Sequence, residues 1–180
     1  VQNKNAEVGI SISNCTIQNT ESLQILGMLF TENLKWKTHI LSLNSKLSKA
    51  IFKIRQLRTF LNPETLMCLY YAEIESRLRY GIIIWGSSGQ VQSTLILQKR
   101  AIQSIARVSL TTSCRPLFIQ MNILTVISLY ILEAASYVHK FKFKLIDKYN
   151  TVHSHNTRSN HIKIPHHRLN VTANSPLCMP

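Results

Sequence analysis

A mainly α fold, a helical bundle preceded by a short β-hairpin and followed by an extended C-terminal tail, is predicted by three features of the sequence. From Trp36 onward, apolar side chains recur at three- and four-residue steps over long stretches, the spacing that lines one face of a helix. Before Trp36 the period is two: Val8, Ile10 and Ile12 alternate with Gly9, Ser11 and Ser13, as on a half-buried strand. Beyond Lys148 neither period survives. Pro165, Pro176 and Pro180, with several Asn and Ser, leave too little apolar surface for a core. The chain therefore divides into a hairpin segment at 1–32, a helical region at 33–148 and a disordered basic, His-rich tail at 149–180.

In the first segment Asn14 offers a turn before a short strand at 16–18. A second run at 23–30 is interrupted by Gly27. A glycine inside a strand marks a bulge or the close approach of another backbone, and here both a plain bulge and a nucleic-acid backbone fit. After it, Trp36, Ile40, Leu43, Leu47, Ala50, Ile54, Leu57 and Leu61 form an unbroken stripe on one long helix, facing a core or a partner helix. A central helix follows over 62–80. Asn62 can cap it, Pro63 fits a first turn whose N–H would be orphaned anyway, and Glu64 suits the dipole. Its apolar face is Leu66, Met67, Tyr70, Tyr71, Ile74 and Leu78. Gly81 is expected to stop it, leaving 82–85, Ile-Ile-Ile-Trp, as a buried strand-like or loop segment. After a turn at 86–89, a third helix is expected over about 92–108, with Leu95, Ile102 and Ile105 inward. A short helix starts near Pro116. A last long helix over about 126–146 has Ile127, Tyr130, Ile131, Ala134, Tyr137, Val138, Phe141 and Leu145 on one side.

Charge narrows the function. Lys and Arg number 21 against 8 Asp and Glu, a net charge of +13. Such a balance points to an anionic partner, most often nucleic acid, or to a subdomain neutralised by the rest of a larger protein. The first helix carries Lys35, Lys37, Lys46, Lys49, Lys53, Arg55 and Arg58, and residues 35–60 contain no acid. Solvated helix faces ordinarily mix signs, because like charges one turn apart repel. Lys46, Lys49 and Lys53 share a strip, which phosphates opposite them would relieve. Lys46, Lys49, Lys53, Arg55 and Arg58 are thus the first candidates for phosphate contact, with Lys99, Arg100 and Arg107 second.

Other chemistries find little support. The only Asp is Asp147 and the seven Glu are scattered, whereas two-metal phosphoryl transfer needs converging carboxylates, so no catalytic site is assigned. Cys15, Cys68, Cys114 and Cys178 are far apart and show no C-x-x-C pair, so neither zinc nor a disulfide framework is signalled. His153, His155, His161, His166 and His167 lack metal-ligand spacing, and a metal-free ribonuclease built from two of them and Lys163 lacks a packed scaffold. No metal site is expected. No long apolar run predicts a spanning helix, and no membrane partner is expected. The chain begins with Val and has no leader pattern, as expected of a fragment. A helix-turn-helix regulator would need a short second helix after a tight turn, which is not seen.

The series LGMLFTENLKWKTHI, KLSKAIFKIRQLRTFL, LYYAEIESRLRYGIIIWG, LQKRAIQSIARV and SCRPLFIQMNILTVISLYILE, followed by HSHNTRSN and IPHHRLN, resembles the carboxy-terminal part of reverse transcriptases of jockey-like non-LTR retrotransposons. The resemblance spans about 23–169, in several blocks in order. It implies a thumb-like helical bundle after a hairpin from the palm edge, with Leu26 and Gly27 at the primer-end hairpin and the basic helix in the thumb. The family's Tyr-Ala-Asp-Asp motif is not in this chain, so Mg2+ is expected only in the missing upstream palm. Cys178 alone does not reproduce the cysteine-rich knuckle of some relatives. The expected function is the non-catalytic downstream part of an RNA-directed DNA polymerase, with an RNA template or RNA–DNA hybrid and the palm as partners. The resemblance places it in a cytoplasmic ribonucleoprotein or the nucleus. The alternative is a structural module or transposon relic that packs or dimerises through the Trp36 to Leu61 stripe.

Overall fold

A computed structural model describes residues 10–12, 15–17 and 20–149, and the side chains of 20–141. The expected tail, with its five histidines and Cys178, lies outside the described residues. Two antiparallel hairpins open the chain: β1 (Ile10–Ile12) with β2 (Cys15–Ile17), and β3 (Ser22–Ile25) with β4 (Met28–Thr31). In the second, Ile25 pairs with Met28, which leaves Leu26 and Gly27 as a two-residue loop. Their φ values are 49° and 80°. Two positive φ angles in a two-residue loop match the twist of the flanking strands, so Gly27 is a turn residue rather than a bulge inside a strand.

The rest is helical: α1 (Lys37–Leu57), α2 (Pro63–Tyr70), a π-turn (Tyr71–Glu75), α3 (Ser76–Arg79), α4 (Ile82–Trp85), α5 (Val91–Ile105), α6 (Arg115–Gln120) and α7 (Val126–Tyr149). The α1 stripe is the spine of the core. Trp36, Ile40, Leu43, Leu47, Ala50 and Ile54 are buried, chiefly against α5 and the α2–α3 segment, while Leu57 at the last turn is exposed. Asn62 caps α2 as expected, its side chain accepting from the Thr65 N–H at 2.9 Å.

The central helix is not a plain α-helix. Leu66, Tyr70, Ile74 and Leu78 are all at most 1% exposed, although they recur every four residues. Four residues of α-helix rotate about 400°, so such a row drifts about 40° per step and would leave the core. The π-turn is wider and takes part of that drift back, with the Ser76 N–H reaching Tyr71 O. The widening frees carbonyls, which side chains satisfy: Ser76 Oγ donates to Ala72 O and Arg77 Nη1 to Glu73 O at 2.9 Å.

Three expectations are corrected. Residues 82–85 are one helical turn, not strand or loop. Gly81, at φ 62°, lets the chain restart, and one turn suffices to bury Ile82 and Trp85 while Ile83 and Ile84 stay half-buried. The third helix ends at Ile105, not near Val108. Val108 N–H bonds Gln103 O at 3.1 Å and Arg107 N–H bonds Ser104 O at 3.4 Å, the paired closure of a helix whose next residue is left-handed. On α7, Val126 and Leu129 are fully buried, whereas Ile127, Ile131 and Val138 are exposed. The face that packs on α3, α4 and α5 is therefore displaced by about one residue from the expected stripe, which included neither Val126 nor Leu129.

Gln98 ties three elements together at the centre of the bundle. Fully buried on α5, it donates to Tyr70 Oη at 2.8 Å and Leu124 O at 2.9 Å and accepts from the Val126 N–H at 2.8 Å. Burial pushes the Tyr70 hydroxyl well above its usual range, so it stays protonated.

Candidate nucleic-acid interface

At about 100° per residue, Lys46, Lys49 and Lys53 fall within an arc of about 60° on one flank of the buried stripe of α1, and Arg55 and Arg58 fall on the other side. All three lysines are exposed. Lys46 and Lys49 make no ion pair among the described residues, whereas Lys53 Nζ lies 3.4 Å from Glu73 Oε1. The eight cations singled out from the sequence do not form one surface. Arg55 Nε donates to Ser104 Oγ at 3.4 Å, and Ser104 Oγ in turn donates to Arg100 O at 2.7 Å, which brings Arg55 beside α5. Lys99 and Arg100 are both exposed but lie about 100° apart on α5, so they do not share a face.

Arg107 has a different task from the one expected. Its Nη2 donates to Arg58 O at 2.7 Å and Leu61 O at 3.0 Å, carbonyls of the C-cap of α1 and of the turn that leads into α2. It holds φ 57° at a position where glycine is the usual occupant. Strain accepted there places the guanidinium as a clamp between α5 and the end of α1, and the spacing of charges in the sequence carries no sign of that.

At Lys46 the strip borders a cleft of about 250 Å³ lined by Gly27, His39, Ser42, Leu43, Lys46, Ser76, Arg77 and Tyr80. The hairpin reaches it because Tyr80 Oη donates to Leu26 O at 2.6 Å. Gly81 fixes the same corner, since a Cβ there would meet Met28 Sδ at 2.6 Å. Leu26 itself is 84% exposed at the tip. Thus Leu26, Gly27 and Lys46, separate in the sequence reading, meet at one place.

His39, Ser42, Arg77 and Tyr80 were not singled out from the sequence. His39, Ser42 and Lys46 follow the three-then-four step of the stripe itself, one position before Ile40, Leu43 and Leu47, so a polar row flanking the apolar row was the available signal. His39 packs between Trp36 and Trp85, at ring-centroid distances of 6.3 and 6.2 Å. Its Nδ1 accepts from the Leu29 N–H at 3.4 Å, which assigns the proton to Nε2. Burial, and then the nearby Lys46 charge, hold its pKa below the ordinary value, so the ring is neutral near pH 7.

Among the described residues Glu73 is the one carboxylate that pairs with the strip. Its Oε2 lies 2.7 Å from Arg77 Nη2, and its side chain is 26% exposed. Burial pushes its pKa up, but Arg77 and Lys53 outweigh that and hold it below the usual value. Arg79 is spent elsewhere, between Glu75 at 2.9 Å and Glu133 at 2.7 Å.

Among the described residues no group of three or more His, Cys, Asp or Glu is placed to hold a metal ion, and no helix is long and apolar enough to cross a membrane. Comparison with protein-family models, curated proteins and solved structures gives no match.

Proposed function

We propose that the chain is a non-catalytic, thumb-like part of an RNA-directed DNA polymerase from a non-LTR retrotransposon, and that it grips template-primer nucleic acid through phosphates. The observation that supports this is the exposed strip Lys46, Lys49 and Lys53, bordering the cleft under the tip of the β3–β4 hairpin. A strip of this kind meets phosphates without reading bases, which suits an element that must hold any sequence. In this reading Leu26 and Gly27 lie toward the primer end, and the metal-binding carboxylates belong to an upstream palm.

The test is a salt titration of an RNA–DNA hybrid by fluorescence anisotropy. Each phosphate contact contributes a slope of roughly 0.7 to 0.9 in log K against log salt. The triple variant Lys46→Met, Lys49→Met, Lys53→Met should lower the slope by about 2 to 3. A wild-type affinity that does not change with salt refutes the proposal.

The second reading, a structural helical module without nucleic-acid binding, is favoured by one set of contacts. Lys53, Arg55 and Arg107 are all engaged with Glu73, Ser104 and backbone carbonyls within the chain. Dimerisation through the Trp36 to Leu61 stripe does not follow from it, because the stripe is buried within the chain from Trp36 to Ile54 and is exposed only at Leu57 and, in part, Leu61.

A further inference from the structure

We infer that the cleft between the β3–β4 hairpin, α1 and α3 is a discrete site for a single phosphate group, with Lys46 and Arg77 as its cationic walls. Glu73 is the internal carboxylate that the phosphate must displace from Arg77. The inference rests on the reading that the basic strip meets phosphates, and it adds a defined position for one of them.

The cleft has what a lone phosphate needs. Lys46 on α1 and Arg77 on α3 approach it from two elements, and Ser42 and Ser76 also line it, the Ser76 hydroxyl being donated to Ala72 O. Its volume of about 250 Å³ admits one such group together with water. The guanidinium of Arg77 is held in place, because Nη1 is anchored on Glu73 O at 2.9 Å while Nη2 faces the Glu73 carboxylate at 2.7 Å. A guanidinium fixed by one edge keeps the geometry that phosphate recognition uses. The Glu73 carboxylate bridges Arg77 and Lys53 and so supplies the anion that these cations otherwise lack. This is a competitive arrangement: the carboxylate lowers the affinity for a phosphate and, by neutralising the site between binding events, limits the self-repulsion of the strip.

The test uses the full chain at constant temperature and ionic strength, with inorganic phosphate as the probe and tryptophan fluorescence as the readout. Trp36 and Trp85 flank His39, which lines the cleft. Wild type should respond saturably. Lys46→Met should lose the response, and Lys37→Met, which removes a cation of α1 away from the cleft, should keep it. Glu73→Gln should tighten the midpoint by up to about fivefold, the size of an exposed ion pair. A response in Lys46→Met equal to wild type, an equal loss in Lys37→Met, or an unchanged midpoint in Glu73→Gln overturns the inference. Saturating RNA–DNA hybrid should abolish the phosphate response if a strand phosphate fills the cleft; a response that persists assigns the site to free phosphate. If the hybrid still binds with a steep salt slope while inorganic phosphate gives no response, the cleft site is rejected and the wider grip stands. Loss of both rejects both.

Discussion

Replacing Gln98 by Leu keeps nearly the same volume and removes three hydrogen bonds at once. The cost follows from what is stranded. The Val126 N–H and Tyr70 Oη belong to residues that are fully buried, so both lose their Gln98 partner in a dry environment. Leu124 belongs to an exposed residue, and its carbonyl can turn to water. Each buried polar group left unsatisfied costs about 1–3 kcal/mol, and Leu recovers part of that through its apolar surface. The expected loss is about 3 kcal/mol, large beside a typical domain stability of about 5–15 kcal/mol yet compatible with folding. Urea unfolding followed by circular dichroism should show a lower midpoint with an unchanged slope. Tyr70→Phe, which removes one acceptor while Gln98 keeps Leu124 and Val126, should cost about 1 kcal/mol. The two changes share a bond, so the double variant should cost less than their sum. A loss below about 1 kcal/mol in Gln98→Leu would refute the claim that this amide holds α2, α5 and the start of α7 together.

Other expectations concern the hairpin, the histidine and the clamp. Leu26→Asn should stabilise by about 0.5–1 kcal/mol in thermal melts, because Asn tolerates the left-handed conformation and Leu26 buries little. His39 takes up its proton less readily in the folded chain than at its ordinary pKa of 6.5, so between those two values the unfolded state binds more protons. Its contribution to stability is therefore complete above about pH 6.5 and is lost as pH falls through the lowered folded value, and His39→Gln should flatten that part of the pH–stability curve. Arg107→Gly should relieve backbone strain but lose two carbonyl contacts. The net expectation is a loss of about 1 kcal/mol by urea unfolding, with affinity for an RNA–DNA hybrid unchanged.

Periodicity made the long elements legible. The row from Trp36 to Ile54 needed only regular spacing, and the Asn62-Pro63 start of α2 needed only local chemistry, so both could be read without tertiary knowledge. Ile82 to Trp85 could not, because four apolar residues in a row satisfy helix and strand alike and only Gly81 at positive φ decides between them. On α7 the pattern marked an apolar stripe through Ile127 and Ile131, yet the face that packs is that of Val126 and Leu129, because apolar residues surround so much of this helix that spacing alone does not choose the side. At the site, Lys46, Lys49 and Lys53 were legible as charge without acids. The Glu73–Arg77 pair, four residues apart on one helix, was within reach of the sequence, but the contact of Glu73 with Lys53, 20 residues away, was not. Arg107 carried the same formal charge as its neighbours, and only its contacts separate a clamp from a surface cation.

The widened turn at Tyr71–Glu75 has a consequence for how the hairpin is carried. Upstream of it, Leu66 and Tyr70 face the bundle; downstream, Arg79 reaches Glu133, and Tyr80, at the end of α3, grasps the hairpin loop. Winding the same residues as an ordinary α-helix would turn everything after them by on the order of 100° about the axis, so Leu66 and Tyr70 would keep their seats while Tyr80 would point away from Leu26. Deleting one residue, Ala72 for example, would leave an ordinary helix with Ile74 and Leu78 still on the face of Leu66 and Tyr70. The wide turn therefore swallows one surplus residue and preserves the azimuth between the half of the rod that anchors and the half that presents the loop.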